Sequence, residues 1–165
     1  GNVSVAGIAR QLKYQDAGLN IDSTKTSTGV FIAGRIKAGG SDDIRFALNS
    51  GRGLGRYIGL ALNADGFIDA NGNIDTIDQT SGNIAYRHMW NKKTRSTFGY
   101  AFYNGDADAG AGTYNEKSTS VHVNLLHSPT KKLTVGGEYI YGKLEKSNGN
   151  VGDMSRIQFS AKYSF

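Results

Sequence analysis

Apolar and polar residues alternate along most of this chain, the two-residue period of a β-strand whose faces meet different surroundings. The last segment is clearest. Ile157, Phe159, Ala161, Tyr163 and Phe165 face one way, and Arg156, Gln158, Ser160, Lys162 and Ser164 the other. Leu133, Val135, Gly137, Tyr139 and Tyr141 alternate with Thr134, Gly136, Glu138 and Ile140, and Val121, Val123 and Leu125 with Ser120, His122 and Asn124. Phe98, Tyr100 and Phe102 oppose Arg95, Thr97, Gly99 and Ala101. Ile84, Tyr86 and Trp90 oppose Asn83, Ala85 and Arg87, with His88 interrupting the apolar side. Ile44, Phe46 and Leu48 oppose Asp43, Arg45, Ala47 and Asn49; Val30, Ile32 and Ile36 oppose Arg35 and Lys37. The least clean segment, about 2–14, puts Val3, Val5, Gly7 and Ala9 against Arg10. The pattern predicts about eight antiparallel strands, each near the roughly 9–11 residues of a tilted membrane strand.

The predicted connections alternate as well. Short ones fall at 38–42, 91–94 and 128–132, and long ones at about 15–26, 50–80, 105–117 and 146–153. Transmembrane barrels have short periplasmic turns and long outer loops, so a periplasmic C-terminus puts every short turn on one side. The expected fold is an all-β antiparallel transmembrane barrel, a single unit over 1–165. A soluble sandwich or lipocalin-like barrel also alternates, with its apolar face inward. The Phe, Tyr, Gly and Ala on the apolar faces, set against regular Arg and Lys on the others, favour lipid outside and water inside.

Composition sharpens this picture in few places. The 165 residues have a mean hydropathy of −0.41, and no run approaches the roughly 20 apolar residues of a membrane helix. Gly is 23, Tyr 9, Phe 7 and Pro only 1, as suits strands whose N–H groups are committed to ladders. There is no Cys, hence no disulfide or thiolate chemistry. No signal peptide precedes Gly1, so the chain is expected to be a mature form or a fragment.

Several stretches carry a resemblance. Gly1–Val5 with Arg10–Tyr14, Gly53–Gly59, Asp69–Asp78, Tyr86–Trp90 with Arg95–Thr97, Glu138–Lys143 and Arg156–Phe165 together resemble the DcaP-like porins, in one order over nearly the whole chain. The C-terminal run ending in Phe is a general outer-membrane signature read by the barrel-assembly machinery. The resemblance implies the bacterial outer membrane and a homotrimer of barrels of about sixteen strands. It also implies small anionic solutes, dicarboxylic and related organic acids. At 165 residues the chain then resembles the C-terminal half of such a porin.

The net charge is +5, and its placement is informative. The faces opposite the apolar ones collect Arg10, Arg35, Lys37, Arg45, Arg87, Arg95, Arg156 and Lys162, with Asp43 and Glu138 as partial counter-charges. Cations lining a lumen raise the local anion concentration, and the planar Arg fork matches a carboxylate bidentately. The bland alternative is a structural ladder that pairs with acids elsewhere and keeps the wall wet. The connection 50–80 is too long for a hairpin. Folded into the barrel, it would make Arg52 and Arg56 a constriction; otherwise it is an outer loop.

Other chemistries are poorly served. Asp65, Asp69, Asn71, Asn73 and Asp75 are spaced like calcium-loop oxygens but lack the closing Glu, and Asp, Asn and Gly are ordinary turn residues, so no metal is expected. His88, His122 and His127 match no zinc site or triad. Nucleophile elbow and phosphate loop are absent, so no enzyme and no cofactor are expected. The cations follow strands instead of forming one patch, which argues against nucleic acid. The expected function is a passive, anion-preferring channel for small organic acids. The alternative is a small closed eight-stranded barrel with a structural or adhesion role and no continuous pore. If the apolar face meets lipid, Val123→Asp should impair assembly by roughly 2 kcal/mol or less, read as the folded fraction in a detergent or vesicle refolding assay. Wild-type refolding of the variant would place Val123 on the wet face instead.

Overall fold

In the computed structural model, which describes residues 1–58 and 61–165, the chain is built from β1 (Asn2–Asp16), β2 (Ile21–Lys37), β3 (Asp43–Arg52), β4 (Gly66–Ile68), β5 (Ile74–Thr76), β6 (Asp78–Met89), β7 (Thr94–Asp106), β8 (Asn115–His127), β9 (Leu133–Lys146) and β10 (Val151–Tyr163). Eight strands form one antiparallel sheet in the order β1-β2-β3-β6-β7-β8-β9-β10, and β4 pairs with β5 in a separate hairpin. Each long strand thus lies beside its sequence neighbour. Among the described residues the long excursion is the segment between β3 and β6, which contains that hairpin.

Register sorts the side chains into two faces. Residues directly opposite across a ladder point the same way, so a row can be followed from strand to strand. One row runs Ile36, Ile44, Tyr86, Phe98, Val123, Tyr139, Ile157. Its neighbours contain Phe46, Ile84, Tyr100, Val121 and Tyr141, and Leu125 and Phe159. This apolar face has no core behind it: Ile157 is 69% exposed and Phe159 82%. Gly34 and Gly82 on it are covered by rings from the next strand. A Cβ on Gly34 would lie 2.8 Å from the Phe46 ring, and one on Gly82 2.7 Å from Phe102, so each ring shields backbone where no side chain can.

The expected eight strands and their faces are found, but the strands are longer and three predicted long loops are shorter, two of them tight turns and the third holding a 3-10 turn at Ala109–Ala111. Residues 17–20, 107–114 and 147–150 connect strands where 15–26, 105–117 and 146–153 were expected. Turn chemistry explains the difference. The Asp16 carboxylate accepts the Gly18 and Leu19 N–H groups, at 2.9 and 3.1 Å, and Asn20 takes a left-handed φ of 52°, which Asn tolerates better than most residues. Gly149, at φ 82°, closes the β9–β10 turn, where its N–H bonds the Lys146 carbonyl. The start of β2, Asp22 to Ser27, is polar on both faces, so alternation is invisible there. Its Thr and Ser still pair fully with β1, as the β-propensity of Thr favours.

The core lies on the polar face, under the segment joining β3 to β6. Leu54 and Ile58 are completely buried with Tyr103, and Ile8, Phe31 and Leu62 pack against them. A row of small residues makes room for this segment. Gly29 faces Gly51 across β2 and β3, with Gln79 and Gly105 continuing the row. A Cβ on Gly29 would sit 2.2 Å from Leu54, and one on Gly51 2.5 Å, so Leu54 occupies a notch that only a glycine pair leaves open. Of the apolar run Tyr57 to Leu62, Gly59 and Leu60 lie outside the described residues. Leu54→Ala should cost the docked segment about 3 kcal/mol. Limited proteolysis checks this as faster cleavage within 53–77 while the long strands stay protected.

Candidate functional site

The segment between β3 and β6 is a strap laid across the polar face and pinned at both ends. At its neck the Gly53 N–H bonds the Ile77 carbonyl at 2.9 Å. Buried Ser27 brings its hydroxyl within 2.7 Å of the Arg52 carbonyl and 2.8 Å of the Gly53 carbonyl. Arg10 on β1 donates to the Gly53 carbonyl at 2.7 Å and pairs with Asp65 at 2.6 Å, with its guanidinium 5.0 Å from the centre of the Tyr57 ring. The far pin is on β7 and β8. Asn63 donates to the Tyr103 hydroxyl at 2.6 Å and the Asn115 carbonyl at 2.7 Å, and Asn115 returns two bonds, from its N–H to Asn63 Oδ1 and from its amide to the Leu62 carbonyl. Gln79 adds a bond to the Ala64 carbonyl. Between the pins the strap lies over β3 and β6 on the polar face.

Toward the short turns the polar face changes character. Next comes a row of small groups, Ala33, Ala47, Asn83, Ala101, Ser120 and Gly142. Beyond it lies a basic row containing Arg35, Arg45, His122 and Arg156. The last full row holds Lys37, Asp43, Arg87, Asn124 and Glu138. Asp43 is fully buried because three arginines close over it. Arg35 Nη2 is 2.9 Å from Oδ2, Arg45 Nε 2.8 Å from Oδ1, and Arg87 also bonds Oδ2. A buried carboxylate is tolerable only when paired and hydrogen-bonded, and here the pairing leaves the cluster with excess positive charge. Arg35 and Arg45 keep about half of their side-chain surface exposed, at 48% and 52%.

Among the described residues, Lys37, Arg95, Arg156 and Lys162 share this face without an ion pair. Glu138 is near only Asn124 at 3.4 Å and His122 at 4.0 Å. The two arginines expected at a constriction are not brought together. Arg52 shares a row with Thr28 and Asp78, on the side of the sheet away from the strap, and pairs with Asp78 at 2.9 Å. Arg56 is on the strap; its backbone N–H bonds Asp65 and its side chain is exposed. The strap's own tie is Arg10. Asp69, Asn71 and Asn73, read as turn or cation residues, make a turn: Asp69 Oδ1 accepts the N–H groups of Asn71 and Asn73 at 2.9 and 2.8 Å.

Formal charge is divided along the strands. On the short-turn side of the small row there are 11 Lys and Arg against 3 Asp and Glu; on the strap side, 8 against 11. The chain's +5 is therefore +8 at one end and −3 at the other.

The apolar face carries a polar cluster at the β2–β3 turn. There Asp42 accepts from the Tyr86 hydroxyl at 2.6 Å and the Met89 N–H at 2.8 Å, with His88 Nδ1 at 2.8 Å. The Trp90 ring meets His88 edge-on at 4.4 Å, and its N–H bonds Ser96. His88, which interrupts the alternation, therefore belongs to an aromatic group with polar ends, as found at membrane interfaces. The Tyr86 hydroxyl, then the Met89 N–H and His88, hold the Asp42 carboxyl down at about 2. Its folded value lies below the unfolded one, so its stabilisation is present above the unfolded value and lost as pH falls through the folded one. Thermal stability in detergent should drop between about pH 4 and pH 2. Asp42→Asn should flatten that part of the profile; an unchanged acid limb would show that Asp42 contributes nothing.

Two comparisons bear on this arrangement. The family model of the DcaP outer membrane protein matches residues 7–165. Among solved structures, the chain superposes on the outer membrane channel DcaP of Acinetobacter baumannii with a TM-score of 0.85 at 22% identity, over 99% of this chain and 47% of that one. That likeness is one of fold, and the chain spans about half the length of the solved channel. No curated protein matches the chain.

Proposed function

The chain belongs to the DcaP outer membrane protein family, and from that premise we propose that it forms about half the wall of a passive, anion-preferring channel for small organic acids. Its localisation follows from the family: the bacterial outer membrane. A spanning sheet cannot leave β1 and β10 as open edges in lipid, where each unpaired backbone group costs several kcal/mol. In the proposed channel the rest of the wall pairs with those edges. The solved channel of the same fold, about twice this length, supports a barrel of that size. Eight strands closed on themselves would give an interior filled by side chains. No observation favours that small closed barrel.

The observation that carries the proposal is the polar face itself. It presents cations in excess of acids to the space opposite the lipid-facing rings, and a strap pinned on β1–β2 and β7–β8 reaches across that space. An exposed cationic wall concentrates anions without a deep binding site. Paired guanidinium forks suit two-pronged carboxylates better than halide, which is why dicarboxylates are the proposed solute class. Passive flow requires weak binding, and half-exposed arginines still solvated by water bind weakly.

The test is electrical. The complete protein, reconstituted in a planar bilayer under a KCl gradient, should show stepwise openings and a reversal potential biased toward chloride. Succinate added to one side should reduce the chloride current at lower concentration than acetate does. Cation-biased reversal, or no steps from a folded, heat-modifiable protein, would overturn the proposal.

A further inference from the structure

We infer that this channel selects by size and by charge at two different depths, and that its anion preference resides near the short-turn mouth instead of at the strap. The inference rests on the channel proposed above and adds where its selectivity arises.

The strap docks on the row of Gly29, Gly51, Gln79 and Gly105. The basic row of Arg35 and Arg45 lies six residues further along β2 and β3. At about 3.4 Å per residue that is about 20 Å of strand. The Debye length is about 10 Å at 0.1 M salt, so charges at one level are largely screened from an ion at the other. Formal charge at the strap moreover sums to zero, with Arg10, Lys25 and the exposed Arg56 against Asp65, Asp69 and Asp75. Arg10 is tied to Asp65 and to the Gly53 carbonyl, and Lys25 sits 3.6 Å from Asp75. Its own packing against the wall is apolar, through Leu54 and Ile58. The strap therefore limits cross-section while contributing little net field.

The short-turn level has the opposite properties. Asp43 gathers three guanidiniums that would otherwise repel one another, and it neutralises only one of their charges. Arg156 stands in the same row as Arg35 and Arg45, on the far strand of the sheet, with no ion pair among the described residues. Between the two levels, the small side chains from Ala33 to Gly142 neither narrow nor charge the passage. An anion thus meets a size filter and a charge filter in series. Because fixed charge is concentrated at one end, the two directions of ion flow are not equivalent and the channel rectifies at low salt.

The experiment uses the complete protein in planar bilayers, with four forms compared at about 0.1 M and 1 M KCl. Arg35→Gln with Arg156→Gln should lower the chloride-to-potassium permeability ratio about threefold or more at the lower salt and weaken rectification. The difference should shrink at the higher salt. Arg56→Gln should leave the ratio unchanged. Leu54→Ala should admit larger neutral polyethylene glycols without changing the ratio. Arg156→Gln alone, which removes no ion pair, serves if the double variant assembles poorly and should move the ratio in the same direction. The inference is overturned if the wild type is anion-selective but the short-turn variants leave its ratio intact, or if Arg56→Gln or Leu54→Ala lowers the ratio as much as they do. A wild type without anion preference would instead overturn the channel proposal itself.

Discussion

Every feature of this chain depends on the backbone's demand for hydrogen bonds where no water can supply them. In hydrocarbon the only sheet that meets that demand is one in which every N–H and C=O is paired across a ladder. The ladders from β1 to β10, continuous but for a register shift between Asn115 and Lys117 in β8, are the outcome. Once pairing is continuous, side chains must alternate between two faces, and the ladder hands each position to lipid or to water. Aromatic and branched residues on one side and arginines on the other are consequences of that geometry. So is the near absence of proline, which cannot donate to a ladder.

The same pairing sets a problem for the strap. A segment laid over a sheet must lie close to it, yet side chains stand between. Glycines solve this locally: Gly29 and Gly51, opposite one another, lower the surface by two side chains and receive Leu54. Apolar burial then holds the middle, while the polar ends are satisfied by neighbours a strap needs in any case. Ser27 and Arg10 meet carbonyls at one end, and Asn63 and Asn115 meet reciprocally at the other. The strap is thus fixed by packing and neutral bonds, with two ion pairs, Arg10–Asp65 and Lys25–Asp75.

How much of this could be read beforehand follows from which interactions are local. Strand faces were legible because period two is a property of neighbouring residues, and the lipid face from Ile157 to Phe165 is as clean in the structure as in the sequence. The turns at 17–20 and 147–150 were misjudged because Asp16, Asn20 and Gly149 act through single hydrogen bonds or one φ angle, within stretches whose polarity looked like loop. The Asp43 hub was half visible. Asp43 was recognised as a counter-charge, but that three arginines from β2, β3 and β6 converge on it depends on register. Arg52 was read as part of the 50–80 connection because alternation was not carried to the end of β3, where Ser50 and Arg52 continue the outward row. The pairs Asn63–Asn115 and Leu54–Gly29 join residues far apart in sequence, and no local pattern announces them.

Register also explains why charge is segregated along the strands. Short turns need few residues and bring the basic rows close to the sheet's end. The strap and its hairpin need tight bends, for which Asp and Asn are the suitable residues, as Asp69 illustrates by capping two N–H groups. Acid therefore accumulates at the strap end partly as a by-product of turn chemistry. The base at the other end has no such local duty. Among Lys37, Arg95, Arg156 and Lys162 no ion pair is made with the described residues, and cations that support neither a turn nor a partner are a standing electrostatic cost unless something in the passage repays it. In the proposed channel a mobile anion does, at the depth where the wall offers small side chains on one side and unpaired guanidinium on the other.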